Sequence, residues 1–226
     1  MDIEANAFDA VSQNRKAAII DTFGNAPNGV KTVINRLSQE LNVGDTREFI
    51  DSNGETKREA CHYSPINGVI RMNPNYDNEE YAEVFRHEYG HFVDDKCGDV
   101  SNSFEFVNAI GKDKTSILCD TLRVDQMLDD LFSCDAAYDR CVSDILSGFF
   151  ENDPKIKQRY NDEFIGYWCH TNDYWSGVKG PPNAIGKEAF ANLFSIYSAK
   201  NRNDSIAFLE KYFPSTTSNF KMMFDL

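Results

Sequence analysis

The run His87-Glu88-Tyr89-Gly90-His91 holds the residues best placed to do chemistry in this 226-residue chain. On a helix the two histidines stand one turn apart, so both imidazoles leave the same side and can meet one metal ion. Glu88 lies beside them, where its carboxylate can hold a water carried by that ion and take its proton. The chemistry this pattern predicts is hydrolysis, with zinc as the expected ion. The flanking residues predict the helix itself. Tyr81, Val84, Phe85, Glu88, His91 and Phe92 fall at i, i+3, i+4, i+7, i+10 and i+11, one stripe of a 3.6-residue repeat. Asp77 or Asn78 can cap its start, Glu79 and Glu80 suit its first turn, and Gly98 can end it after Lys96. A plain surface helix explains the pattern poorly. Glu88 and His91 share the apolar stripe, and a carboxylate turned toward a core is costly unless it is paired or ligated.

A catalytic zinc takes three protein ligands and keeps one position open. Asp94 and Asp95 lie seven and eight residues from His87, about 10–12 Å along a helix axis, too far to serve as the third. They read as groups that cap the helix or orient other side chains. Two distant residues remain. Glu188 sits in a predicted helix, and His170 sits in the aromatic segment 164–177, which holds both tryptophans. Each has a blander reading: a solvated acid in a first helical turn for Glu188, an inert packed ring for His170. His62, on a predicted strand, reads as structural or exposed.

The residues His87-Glu88-Tyr89-Gly90-His91-Phe92-Val93-Asp94-Asp95, followed by Gly98, resemble the H-E-[F/Y]-G-H-x-V-D-D segment of the anthrax lethal factor type of zinc metallopeptidase. Downstream, Glu188-Ala189-Phe190-Ala191-Asn192-Leu193-Phe194 resembles that family's third-ligand helix, and the two blocks come in the right order. The resemblance implies a zincin-like α+β fold, mainly helical, with a small sheet. It implies an edge strand over the active-site helix, a role that would fall to 68–73. It also implies one zinc ion held by His87, His91 and Glu188, with Glu88 as general base, and hydrolysis of a peptide or protein substrate.

The chain departs from the family pattern twice. Asn192 stands where the family carries Glu, and Pro181 stands where the family places a catalytic tyrosine. The nearest tyrosine upstream is Tyr174, with His170 one turn away if the segment is helical. Tyr174 and His170 are therefore the candidates to support the oxyanion, and Tyr197 is a third. The arrangement His170-x-x-x-Tyr174-Trp175 more weakly resembles H-E-x-x-H domains attached to phage head-morphogenesis proteins. Two rival functions follow: a phage- or toxin-associated domain that keeps the metal without turnover, and a zinc hydrolase of small amides.

Hydrophobic residues make up 41% of the chain, and no apolar run approaches the ~20 residues that span a bilayer. The start, Met1-Asp2-Ile3-Glu4-Ala5-Asn6, shows no signal peptide. A net charge of −13 argues against nucleic-acid binding. It suits basic peptide substrates or plain solubility. None of the six cysteines forms C-x-x-C, and most read as free, buried thiols. The compartment stays open, and a domain of a larger phage-borne or secreted protein fits.

One domain is expected over 1–226, with the sheet and the His-bearing helix in 1–100 and a helical part carrying the third ligand in 101–226. Periodicity predicts helices over 6–23 and 28–41, then short strands over 47–51, 57–63 and 68–73. Further helices are predicted over 103–110, 115–131 and 136–146, with Gly111 and Gly148 as breaks. A short element follows Asp153-Pro154, and helices over 188–199, 204–212 and 215–224 close the chain.

Overall fold

Strand-like segments lie within the first third of the chain and helical periodicity dominates the rest, and the structure keeps that separation. The computed structural model describes residues 2–4, 6–163, 170 and 172–226, with 160–163 described by backbone alone. It is mainly helical α+β with small sheets. The chain packs as two compact units, one of residues 1–98 with 198–200, the other of 99–197 with 201–226.

In the first unit, helices α1 (Gln13–Phe23) and α2 (Asn28–Leu37) precede strands β1 (Asn42–Asp45), β2 (Glu48–Ile50), β3 (Thr56–Arg58), β4 (His62–Ser64) and β5 (Val69–Met72). Helix α3 (Asn78–Lys96) follows and carries the two histidines. β1 pairs parallel with β5, and β4 pairs antiparallel with β5, so β5 is the middle strand of a mixed three-stranded sheet. The segment 68–73 is therefore a strand as expected, but not an edge strand. β4 takes one edge. The strand that displaces β5 inward is β1, which lies between the predicted helix 28–41 and the predicted strand 47–51 and pairs Gly44 with Arg71. The predicted strand 57–63 splits into β3, which makes a separate hairpin with β2, and β4.

α3 packs against α1, α2, β4 and β5. Its start is fixed by Asp77, whose side chain accepts from the Glu80 N–H, and Gly98 follows it with φ of +93°. Under it lies an aromatic cluster. Phe8, Phe23, Phe85 and Tyr89 have ring centroids 5.5–5.9 Å apart, and Ile19, Val30 and Ile34 complete the core. Such rings contribute specific geometry as well as buried area, and they fix the rotation of α3 about its axis.

The second unit contains α4 (Phe104–Leu118), α5 (Thr121–Phe132), α6 (Arg140–Phe150), α7 (Pro154–Glu163), α8 (Asn172–Trp175), α9 (Ala184–Ser198), α10 (Asn203–Tyr212) and α11 (Pro214–Met223). α4 runs straight through Gly111, an exposed position where glycine costs about 1 kcal/mol and does not end a helix. Gly148 likewise lies inside α6. A Cβ there would come 3.0 Å from the Trp175 ring, so glycine serves close packing, not a break. The buried Asp113 of α4 accepts from Ser215 N, Thr216 N and Thr216 Oγ1, at 3.1, 2.7 and 2.8 Å, and so caps α11 from another helix. Phe106, Phe190, Phe220 and Phe224 form the core between α4, α9 and α11. No helix among the described residues is long and apolar enough to cross a membrane.

Candidate metal centre

The first unit supplies two imidazoles and a carboxylate from α3. His87 Nε2 and His91 Nε2 stand 3.2 Å apart, their rings edge to face at 89°. Two nitrogens bound to one tetrahedral ion at ~2.0–2.1 Å would be separated by about 3.4 Å, so the pair already has the spacing of two ligands on a shared ion. Glu88, between them in sequence, is 7% exposed. Its Oε2 accepts from the Tyr63 backbone N–H at 2.8 Å. Tyr63 lies on the edge strand β4, and with its amide on Glu88 it is a residue whose backbone groups point away from β5. The same tyrosine donates its hydroxyl to Asp95 Oδ2 at 2.6 Å and packs its ring on Phe92, 5.7 Å between centroids. One residue of β4 thus ties down α3 at both Glu88 and Asp95. Asp95, read from the sequence as a group that caps the helix or orients other side chains, is engaged by the Tyr63 hydroxyl, and Asp94 is buried.

Other polar groups of this unit have different engagements. His62 holds its Nδ1 at 3.0 Å from the Ala60 carbonyl and belongs to no metal-competent group among the described residues. Burial pushes the Cys61 thiol up, away from the nucleophilic thiolate form. No disulfide joins the five described cysteines, and only Cys141 is buried. Cys61 and Cys134 are half-buried, Cys97 and Cys119 exposed, and Cys169 lies outside the described residues.

The second unit gathers the remaining candidates. α9 begins four residues earlier than periodicity predicts, so Glu188 lies past the first turn and is 4% exposed. It is not the solvated first-turn acid of the bland reading. The Tyr174 hydroxyl donates to Glu188 Oε1. His170 stacks on Tyr174, with centroids 3.9 Å apart and planes at 11°, and Trp175 meets both rings edge-on. Gly180 backs this corner. A Cβ there would sit 2.3 Å from the Tyr174 carbonyl oxygen, so the approach of loop to α8 requires glycine. Tyr197 lies elsewhere: its hydroxyl donates to Glu210 Oε1 at 2.9 Å and its ring stacks on Phe220.

Asn192, one turn beyond Glu188, donates Nδ2 to Asp144 Oδ2 at 2.7 Å, and Asp144 Oδ1 lies 3.6 Å from His170 Nε2. Sequence reading did not single out Asp144. Its signal was present, since it is a lone carboxylate among Val142, Ile145, Leu146 and Phe149 of a helix buried along its length. The tie from Tyr63 to Glu88 had no such signal, because it is made by a backbone amide.

Within the first unit, two imidazole nitrogens with the spacing of His87 and His91 suit zinc or a neighbouring divalent transition metal. Within the second unit, Glu188 offers a buried carboxylate. Comparison with protein-family models, with curated proteins and with solved structures gives no match.

Proposed function

We propose that this chain is a zincin-type zinc metallopeptidase that hydrolyses peptide bonds in an extended substrate. His87 and His91 hold the ion, and Glu188 is its third ligand. Glu188 enters this reading from the sequence pattern and from its surroundings in the second unit, where it is buried and held by the Tyr174 hydroxyl. One observation carries the reading: α3 bears two imidazole nitrogens spaced as ligands of a single ion, with the buried Glu88 next to His87 in sequence and held by the Tyr63 amide.

When bound, zinc supplies Lewis acidity, polarising a scissile carbonyl and lowering the pKa of a water. Glu88 takes the proton from the attacking water and delivers it to the leaving amine nitrogen. The Tyr63 amide fixes Glu88 Oε2, so the proton transfer falls to a carboxylate with a set orientation. The Tyr174 hydroxyl, whose one proton rests on Glu188 Oε1, would turn from that carboxylate to donate to the negative charge that develops on the carbonyl oxygen. His170 packs behind Tyr174 and holds its ring in place. β4 is an edge strand, the kind of element along which an extended peptide lies, which favours a peptide over a small amide as substrate even though the Tyr63 amide is itself engaged by Glu88.

The test is Glu188→Ala. The variant should release the ion, cleave no member of a mixed peptide library read by mass spectrometry, and melt like the metal-free wild type. Cleavage that survives this substitution would overturn the two-His-plus-Glu reading.

A further inference from the structure

Asp144 is a buried acid that the mechanism above does not use. Together with His170 and Glu188 it forms a group whose ligand atoms all lie within 4.8 Å of one another, and all three residues belong to the second unit. Asp144 and Glu188 are 5% and 4% exposed. Two carboxylates so buried and so close repel each other unless a proton or a cation stands between them.

The separation of Asp144 Oδ1 from His170 Nε2, 3.6 Å, is too long for a hydrogen bond. It matches two donors that share one ion at ~2.1 Å each, which stand about 3.4 Å apart in a tetrahedral site. Each donor is also oriented by a neighbour. Asn192 Nδ2 holds Asp144 Oδ2 at 2.7 Å, the Tyr174 hydroxyl holds Glu188 Oε1, and the His170 ring is stacked on Tyr174 and met edge-on by Trp175. Outer hydrogen bonds and packing of this kind set the direction of ligands at metal sites.

We propose that Asp144, His170 and Glu188 hold a second zinc ion. Two carboxylates and a neutral imidazole cancel the charge of a divalent ion, which removes the mutual repulsion of Asp144 and Glu188. Glu188 is common to this set and to the one proposed above. The inference rests on that reading in this one respect.

The experiment is a zinc count on the full chain. Protein stripped with a chelator is titrated with Zn²⁺ by calorimetry, and the bound metal is measured after dialysis. Wild type should take two equivalents. Asp144→Asn and His170→Ala, made separately, should each take one, while the double variant His87→Ala with His91→Ala should also take one. Circular dichroism of the metal-free proteins checks that each variant is folded, and two single variants guard against the failure of either. A count that neither Asp144→Asn nor His170→Ala changes overturns the second site. It leaves Asp144 as a hydrogen-bonding neighbour of Asn192. A count lowered by these two but untouched by the double histidine variant keeps the second site and overturns the function proposed above.

Discussion

Helices α3 and α9 both turn charged or polar side chains inward, yet they hold them by different means. On α3 the buried Glu88 is tied by a backbone amide of β4, while Glu188 on α9 is tied by a side chain, the hydroxyl of Tyr174. A backbone tie survives most substitutions, because every residue except proline carries the N–H. A side-chain tie depends on one residue, and it brings that residue's chemistry with it. The difference suits the roles proposed for the two glutamates. A base must keep one orientation through a proton transfer. A ligand and its hydrogen-bonding tyrosine can be tuned together.

The largest effect should come from Glu88→Gln. The amide oxygen of glutamine can still accept from Tyr63, so fold and zinc content should stay as in wild type. The proton acceptor is lost, and peptide cleavage should fall by ~10²–10⁴-fold, the usual contribution of a positioned general base. The check is initial-rate kinetics beside a metal assay. Loss of zinc together with rate would move Glu88 from base to ligand and break the contrast between the two helices.

The same contrast decides what could be read from sequence. The α3 half is local. His87, Glu88 and His91 span one turn, and their shared face, cap and glycine ending all follow from helical spacing. The α9 half joins residues far apart in the chain: Tyr174 lies fourteen positions before Glu188, and Asp144 forty-eight before Asn192. Periodicity fixes which residues share a helix face, but it says nothing about which loop returns to cover that face. The sheet failed for a related reason. β1 has four residues and finds its parallel partner twenty-seven positions later. Short strands with non-local partners carry weak local signals. Glycines misled where they were read as breaks, since Gly111 lies in open space and Gly148 lies under an indole ring.

A smaller effect, and a sharper one, is expected for Tyr174→Phe. Removing the hydroxyl takes away the hydrogen bond to Glu188 Oε1, so zinc affinity should weaken by ~10–100-fold, as for other groups that orient a metal ligand. If the hydroxyl also stabilises the oxyanion, kcat at saturating zinc should fall by ~10²-fold as well. A chelator-competition titration gives the first quantity and steady-state kinetics the second. Weaker zinc with an unchanged kcat would confine Tyr174 to holding Glu188, and the α9 half would then be a ligand platform without a catalytic donor.

The smallest effect belongs to Tyr63→Phe. The substitution removes the hydroxyl bonded to Asp95 and keeps the ring on Phe92 and the amide on Glu88. A part-buried hydrogen bond to a carboxylate contributes about 1.5–3 kcal/mol, and solvent access at Asp95, which is not fully buried, places this one toward the lower figure. With a 1 kcal/mol loss shifting the midpoint of a domain this size by ~2–4 °C, the melting temperature should drop by several degrees. The cleavage rate, measured well below that temperature, should change by less than ~3-fold, because the backbone tie to the base is intact. A rate loss approaching that of Glu88→Gln would mean that Glu88 is positioned through the Tyr63 side chain after all. The α3 half would then resemble the α9 half in depending on one tyrosine.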